Sequence, residues 1–383
     1  MKKSRASIII TNYNYGHFLR EAIESALNQT YQPTEVIVVD DGSTDNSQQI
    51  IANYGKRIVS VLKENGGQGS AFNAGFAASC GQVVCFLDAD DVLLPNAIER
   101  AVELLHESNA VKVHWPLSAI DVYGKPLGKL YPEKPLPEGD LLDAQLSGGV
   151  DGHIFSPTSG NAWTRSYLKR ILPIPEIHYR INADSYLAML APLFGRIQRI
   201  DEHQALYRIH GNNGTSKTTY RWQLNQYQYE MTILHKFLQE QNIQIKDAFE
   251  CAQSSGYSHI KRMVELGEEL EPLIPLRQKY ILVDMDEWGW NGQLLENRRS
   301  IPFLEKDGMY WGPPPDDAIA IKEFERLHHE GASFIVFGSP AFWWLDYYAE
   351  FVRYLRTRFR CVLENERLVV FDLQGIGNNN EKL

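Results

Sequence analysis

No stretch of this 383-residue chain reaches the roughly 18 consecutive apolar residues that cross a bilayer, so any membrane contact is expected to be peripheral. Cysteine is scarce: Cys80, Cys85, Cys251 and Cys361 make no Cys-Xaa-Xaa-Cys pair and lack the density of a secreted disulfide scaffold. A reducing cytosol is the expected home. Basic residues are also short, 38 Lys and Arg against 48 Asp and Glu, for a formal charge of −10. Nucleic acids are bound through stripes of Lys and Arg, so a nucleic-acid partner is not expected. Nucleotide binding stays open, because a divalent ion can supply the missing positive charge. Met1-Lys2-Lys3-Ser4-Arg5 has the charge of an export-signal start, but the apolar Ile8-Ile9-Ile10 gives way at once to Thr11-Asn12-Tyr13-Asn14. No export signal is expected.

Two common phosphate-binding loops are absent as well. Gly66-Gly67-Gln68-Gly69-Ser70-Ala71-Phe72 fails as a dinucleotide fingerprint because Phe72 takes the place of the third glycine. No Gly-Xaa4-Gly-Lys-Ser/Thr run occurs. Phosphates, if bound, must be held mainly through a metal and side chains.

What is present is a pattern of apolar runs that end in carboxylates. Val83 to Asp88 leads into Asp88-Ala89-Asp90-Asp91, and Glu35 to Asp40 leads into Asp40-Asp41-Gly42-Ser43-Thr44-Asp45. Clustered carboxylates raise one another's proton affinity unless a cation or hydrogen bonds compensate. Oxygen ligands of this kind suit magnesium or manganese, ions that commonly use one or two protein carboxylates together with substrate phosphates. Asp45 is expected to serve structure instead, as a capping box with Gln48.

Strand-like runs at Ser7 to Thr11, Glu35 to Asp40, Ile58 to Leu62 and Val83 to Asp88 alternate with helical patterns at Phe18 to Gln29, Asp45 to Tyr54, Ser70 to Ala78 and Asn96 to His106. Such alternation implies an α/β fold with a parallel sheet covered by helices, whose ligands sit beyond the carboxyl ends of the strands. Val111 to Trp115, a hairpin around Tyr123-Gly124, a loop-rich rim from Pro132 to Pro157 and short helices at Arg165 to Ile171 and Asp184 to Leu193 follow. The expected organisation is a catalytic domain over 1–218, with a nucleotide-binding half 1–106 and an acceptor half 107–218. A helical connector over 219–276, a small α/β unit over 277–375 and a frayed tail over 376–383 complete it. In the small unit Trp344, Tyr348, Phe351 and Leu355 recur at helical spacing, which predicts a packed stripe within one helix from Ala341 to Arg358.

Taken in order, Ile8-Ile9-Ile10-Thr11-Asn12-Tyr13-Asn14, Asp40-Asp41-Gly42-Ser43-Thr44-Asp45, Asn65-Gly66-Gly67, Asn73-Ala74-Gly75 and Leu87-Asp88-Ala89-Asp90-Asp91 closely resemble the family 2 glycosyltransferases. The resemblance covers about residues 5 to 215. It implies the GT-A fold, a Rossmann-like mixed sheet, with a nucleotide-diphosphate sugar as donor (a UDP-sugar favoured), Mn2+ or Mg2+, and inversion at the anomeric carbon. It further implies that Thr11, Asn12, Tyr13, Asp41, Asn65, Gly67, Asn73, Asp88 and Arg208 contact the donor. The Asp-Xaa-Asp pair, Asp88 and Asp90, would hold the metal, with His210 from Tyr207-Arg208-Ile209-His210-Gly211-Asn212-Asn213 as a further ligand.

Asn182-Ala183-Asp184-Ser185 matches the family's catalytic-base position. Asp184 fits, while Ala183 replaces the usual acidic neighbour. A helix N-terminus is expected to favour the ionised carboxylate. Phe72 stands where many relatives carry Arg, and Arg208 is equally compatible with a buried ion pair. Ile301-Pro302-Phe303 to Trp311-Gly312, with Phe342 to Leu345, resembles an accessory module found beside bacterial sugar-transfer domains.

The expected activity is cytoplasmic assembly of a glycan or polysaccharide, with a glycan or lipid-linked acceptor and contact with the inner membrane face allowed. A homodimer is compatible. The rivals are a nucleotidyltransferase, which would ordinarily show a basic Gly-rich loop after its first strand, and a non-catalytic nucleotide-sugar-binding protein.

Overall fold

The computed structural model describes residues 4–108, 110–210, 218–243, 255–288, 293–306 and 309–376. Gly211-Asn212-Asn213 and the tail beyond residue 376 lie outside these. The chain divides into two compact units, residues 1–215 with 226–254, and residues 216–225 with 255–383. The segment expected as a connector, 219–276, is therefore apportioned between the two.

The first unit opens with β1 (Ala6–Asn12), α1 (Gly16–Leu27), β2 (Thr34–Asp40), α2 (Ser47–Tyr54), β3 (Val59–Leu62), α3 (Gln68–Ala78) and β4 (Val83–Asp88). It continues with β5 (Val92–Leu93), α4 (Ala97–Ser108), β6 (Lys112–His114), β7 (Leu117–Ile120), β8 (Pro126–Tyr131) and α5 (Leu142–Gly148). Then come β9 (Asn161–Thr164), α6 (Arg165–Ile171), α7 (Ala183–Leu190), β10 (Ile197–Arg199), β11 (Ala205–Arg208) and α8 (Tyr220–Glu240), a helix whose residues 220–225 belong to the second unit.

Seven strands form the main sheet in the order β10-β6-β9-β4-β1-β2-β3, and β5-β11-β7-β8 form a smaller one. In the main sheet only β9 runs antiparallel to its neighbours, β4 and β6. The central strands carry unbroken apolar runs, Ile8 to Ile10, Val36 to Val39 and Val83 to Leu87, because both faces are covered. Ile8, Ile10, Val36, Val38, Cys85 and Leu87 pack under α1, α2 and α4, while Ile9, Ile37, Val39, Val84 and Phe86 pack under α3, α6 and α7.

Sheet order determines where a ligand can sit. After β1 the chain builds outward through β2 and β3, then returns to place β4 on the other flank of β1. The carboxyl end of β1 is thus a topological switch point, where the connections diverge and leave a crevice. Register brings Thr11 beside Asp88 and Asn12 beside Asp40.

Three local expectations are corrected. Asp45 and Gln48 form no capping box: Asp45 accepts from the Ser47 and Gly16 amides at 2.9 Å each, and Gln48 turns to Asp40, 3.2 Å away. The helix expected to reach Leu193 is α-helical only to Leu190, where a single 3-10 turn carrying Pro192 takes over. The aromatic helix of the second unit breaks at Tyr348 (φ −95°, ψ 59°).

The second unit contains α9 (Ser255–Leu270), β12 (Lys279–Val283), β13 (Arg299–Pro302), the hairpin β14 (Glu305–Lys306) and β15 (Met309–Tyr310), α10 (Asp317–His329) and β16 (Ala332–Gly338). It ends with α11 (Trp343–Tyr347), α12 (Ala349–Arg358), β17 (Phe359–Glu364) and β18 (Leu368–Ile376). Its sheet runs β13-β12-β16-β18-β17. Despite the break, Trp344, Tyr348, Phe351 and Leu355 are all buried in its core. Among the described residues no helix is long and apolar enough to cross a membrane.

Candidate active site

A cavity of about 430 Å³ opens at the switch point of the first unit. Thr11, Asn12, Tyr13, Asp41, Asn65, Gly67, Asp88, Asp90 and Asp184 all line it; Asn73, Arg208 and His210 do not. Thr11, Asp41 and Asp88 share one wall because the parallel strands β1, β2 and β4 end side by side, and the start of α7 adds Asp184 from much farther along the chain.

One end of the cavity is shaped by Asp41. Its Oδ1 accepts from Lys63 Nζ at 2.6 Å and from the Gly66 amide at 2.9 Å, and its Oδ2 accepts from the Gly67 amide at 2.7 Å. Asn65 adds a bond to the Asp41 carbonyl at 3.0 Å. The 63–67 loop is therefore fastened to the end of β2. Gly67 has φ +86°, and a Cβ there would lie 2.5 Å from Arg180 Cα, so the close approach of the 180 loop requires glycine. Asn12 closes the same corner, donating to Asp40 at 2.9 Å and Ser43 at 3.1 Å. Tyr13 lines the cavity and stays 48% exposed.

At the other end stand the carboxylates. Asp88 accepts from Thr11 Oγ1 at 3.3 Å, and its carboxyl is pushed up to about 7, first by burial and then by the neighbouring charges of Asp90 and Asp184. Asp90 lies 2.8 Å from His210 Nε2. Asp91 faces away from the cavity: Ser159 Oγ donates to it at 2.6 Å and the Arg208 amide at 3.0 Å, which ties β4 to the second sheet. Among the described residues no group of three or more His, Cys, Asp or Glu side chains is preassembled to hold a metal ion. Asp88 and Asp90 nevertheless offer the hard oxygen donors that magnesium or manganese takes from protein when phosphates complete the shell. His210 is placed to orient Asp90, and its ring packs 5.2 Å from Tyr15 and 5.4 Å from Phe18.

Two expected donor contacts stand outside the cavity. Arg208 is 2% exposed; its guanidinium reaches Glu21 at 2.6 Å, the Asp90 carbonyl at 2.9 Å and the Asp121 carbonyl at 3.2 Å, and sits over the Phe18 ring. This is an ion pair between a buried guanidinium and a carboxylate that remains exposed. Asn73 binds both the amide and the carbonyl of Ile174, at 2.8 and 2.9 Å, and so anchors the chain ahead of the 180 loop. Phe72 is fully buried and stacks on Phe86 at 4.0 Å, an environment that excludes a charged side chain.

Asp184 lies in the first turn of α7 and lines the cavity. The helix end alone would keep it ionised. Burial prevails instead and raises its carboxyl above the usual range, against the opposing pull of the Thr158 hydroxyl, the local amides and the Lys112 ammonium. A raised carboxyl is a stronger base once ionised.

Gln68 was not anticipated. Its side chain accepts from the Ala183 amide at 2.8 Å and donates toward Thr158 at 3.2 Å and Asp88 at 3.5 Å, so one residue spans the carboxylate end and the start of α7. Its place directly after Gly66-Gly67 was the available signal. Tyr15, Thr158, Arg180 and Tyr207, also on the wall, carried none.

Comparison with known proteins agrees with this geometry. Residues 7–165 match the family model described as Glycosyl transferase family 2. An uncharacterized glycosyltransferase of Nostoc sp. strain PCC 7120 is 41% identical over 213 residues, covering 55% of this chain and 66% of the relative. A Rickettsia prowazekii glycosyltransferase is 48% identical over 101 residues, 26% of this chain and 32% of its own. The chain thus spans 66% of the length of the first relative and 32% of the second. The crystal structure of S. aureus TarS 1–349 in complex with UDP-GlcNAc superposes with a TM-score of 0.50 at 19% identity, over 70% of this chain and 76% of that one. The chain therefore carries a glycosyl transferase family 2 domain with the GT-A fold.

Proposed function

We propose that the first unit transfers a sugar from a nucleotide-diphosphate donor to a hydroxyl acceptor, with inversion, for glycan assembly. The observation that supports this reading best is the gathering of Asp88, Asp90 and Asp184 on one cavity wall, with Thr11, Tyr13 and the Asp41-fastened loop on the remainder. Asp88 and Asp90 are the residues that would hold magnesium or manganese. When bound, the ion supplies positive charge to the departing diphosphate. Tyr13 and the 63–67 loop hold the nucleoside. Asp184 accepts the acceptor's hydroxyl proton as that oxygen bonds to the anomeric carbon and the bond to the diphosphate oxygen breaks. One displacement on the face opposite the leaving group inverts the centre.

UDP-sugars are the first donors to test, since the TarS structure of the same fold carries UDP-GlcNAc. The test is a thermal-shift panel of uridine, guanosine and thymidine diphosphates with and without manganese, followed by sugar transfer with the preferred nucleotide. A ligand that binds the folded state raises the midpoint by mass action. A manganese-dependent rise that is lost in Asp90→Asn supports the reading; no rise with any nucleotide overturns it.

A further inference from the structure

Arg180 stands on the cavity wall without a role in the proposed transfer. The wall carries the carboxylates of Asp41, Asp88, Asp90 and Asp184, and among the described residues that line it Arg180 is the one basic side chain. Lys63 answers Asp41 at 2.6 Å. The remaining wall is acidic, yet a diphosphate brings further negative charge to it. A divalent ion at Asp88 and Asp90 offsets part of that repulsion, and a cation on the protein lowers it further.

Local structure fixes where that cation stands. The Gln68 and Gly69 amides, at the start of α3, donate to the carbonyls of Arg180 and Tyr179 at 2.9 and 2.8 Å. Tyr179 is fully buried, so the backbone of Arg180 is held against α3 while its own side chain stays exposed. The guanidinium donates to Asn65 Oδ1 at 2.5 Å, and the Asn65 amide is oriented in turn by donating to the Asp41 carbonyl at 3.0 Å. Arginine carries five N–H donors in a rigid fork, so this one bond leaves most of the fork unspent. Among the described residues it has no carboxylate partner. An ordinary surface arginine is solvated and loosely placed; here both the backbone and the amide it meets are fastened.

The contact also joins the two ends of the cavity. Asn65 belongs to the loop tied to Asp41, and the segment of Arg180 runs within four residues to Asp184 in the first turn of α7. A nucleotide-sugar that spans the cavity has its diphosphate between the nucleoside and the anomeric carbon, alongside this segment. We propose that Arg180 binds the donor's diphosphate, turning its free N–H groups from beside Asn65 onto two phosphate oxygens, a planar pairing that guanidinium matches and ammonium does not. This deepens the transfer reading of the site and rests on it.

The experiment is calorimetric titration of the full chain, in the presence of manganese, with the nucleoside, nucleoside monophosphate and nucleoside diphosphate of the preferred base. Wild type, Arg180→Gln and Arg180→Lys are compared. Arg180→Gln is expected to lose about tenfold to a hundredfold in diphosphate affinity and less than about twofold for the nucleoside, and Arg180→Lys to recover part of the loss. The loss should shrink as salt is raised, because the side chain is exposed. Both variants keep the backbone bonds that hold the segment, so their melting midpoints should stay near wild type. An equal loss for all three ligands overturns the proposal, since the guanidinium would then shape the nucleoside end alone; so does an unchanged diphosphate affinity. Failure of wild type itself to bind any diphosphate would overturn the transfer reading and this proposal with it, whereas tight wild-type binding that Arg180→Gln retains overturns this proposal alone.

Discussion

His210 Nε2 lies 2.8 Å from Asp90 Oδ2, and Arg208, two residues earlier at the end of β11, holds the Asp90 carbonyl at 2.9 Å. The backbone and the carboxylate of Asp90 are thus held by residues 118 and 120 positions away in sequence, and His210 alone of the two touches the carboxylate. Groups that orient a metal-binding carboxylate typically carry 10- to 100-fold in metal affinity. His210→Ala is expected to weaken manganese binding in the presence of nucleotide by about that factor. Asp90→Asn should abolish it. Calorimetric titration of manganese into the nucleotide-saturated protein measures both.

Asp184→Asn is expected to leave nucleotide affinity unchanged and to lower transfer by about 10²- to 10⁴-fold, the usual share of a general base. It should also stabilise the protein. Burial raises the Asp184 carboxyl above its unfolded value, so its favourable contribution is complete only in acid and is lost as pH rises through the folded-state midpoint. Asparagine removes that loss. The melting midpoint of Asp184→Asn should exceed wild type at pH 8, and the gap should shrink toward pH 4.

Arg208→Lys is expected to act on stability rather than on phosphate recognition. Lysine cannot reproduce the guanidinium's simultaneous bonds to Glu21, Asp90 and Asp121; the exposed Glu21 adds little, but loss of charge-assisted bonds to two carbonyls costs about 3 kcal/mol. At ~2–4 °C per kcal/mol for a domain of this size, a fall of about 10 °C follows. The ratio of affinities for nucleoside diphosphate and nucleoside should stay constant, because the guanidinium does not line the cavity. A selective loss of diphosphate affinity would place Arg208 back among the phosphate contacts.

These residues show which parts of the site are legible in the sequence. Strand ends that stop in carboxylates identify a rim because a buried parallel strand is apolar throughout, so Asp41, Asp88 and Asp90 stand out from their neighbours along the chain. Arg208 and Asn73 point to the donor site only through their order along the chain, which says nothing about which way a side chain turns. Gln68 and Lys112 escape notice for a different reason. Their surroundings depend on neighbours more than 40 residues away, Thr158 and Ala183 for one, Phe155 and Trp163 for the other. A lysine between Val111 and Val113 is visible as an anomaly, but only tertiary packing shows that its charge is enclosed. The aromatic stripe of the second unit is legible by period, since the bend at Tyr348 leaves Trp344 and Phe351 on one face.

Gly67→Ala tests whether the loop fastened to Asp41 organises the nucleoside end of the cavity. The position needs φ +86°, which costs an alanine of order 1 kcal/mol, and the added methyl would meet Arg180 Cα at 2.5 Å and its carbonyl at 2.7 Å, backbone atoms that cannot swing aside. Relief requires the 180 loop to move outward, and the Gly67 amide then leaves Asp41 Oδ2. Gln68 moves with it, because its own amide donates to the Arg180 carbonyl at 2.9 Å. The effect should therefore extend to Asp88 and Ala183, which Gln68 bridges. Gly67→Ala is expected to fold with a lower melting midpoint and to lose about tenfold or more in nucleotide affinity. Asp41→Asn, which keeps the shape but weakens the acceptor, should lose less. If Gly67→Ala bound nucleotide as wild type does, the loop would be a passive wall and the nucleoside would rest on Thr11 and Tyr13 alone.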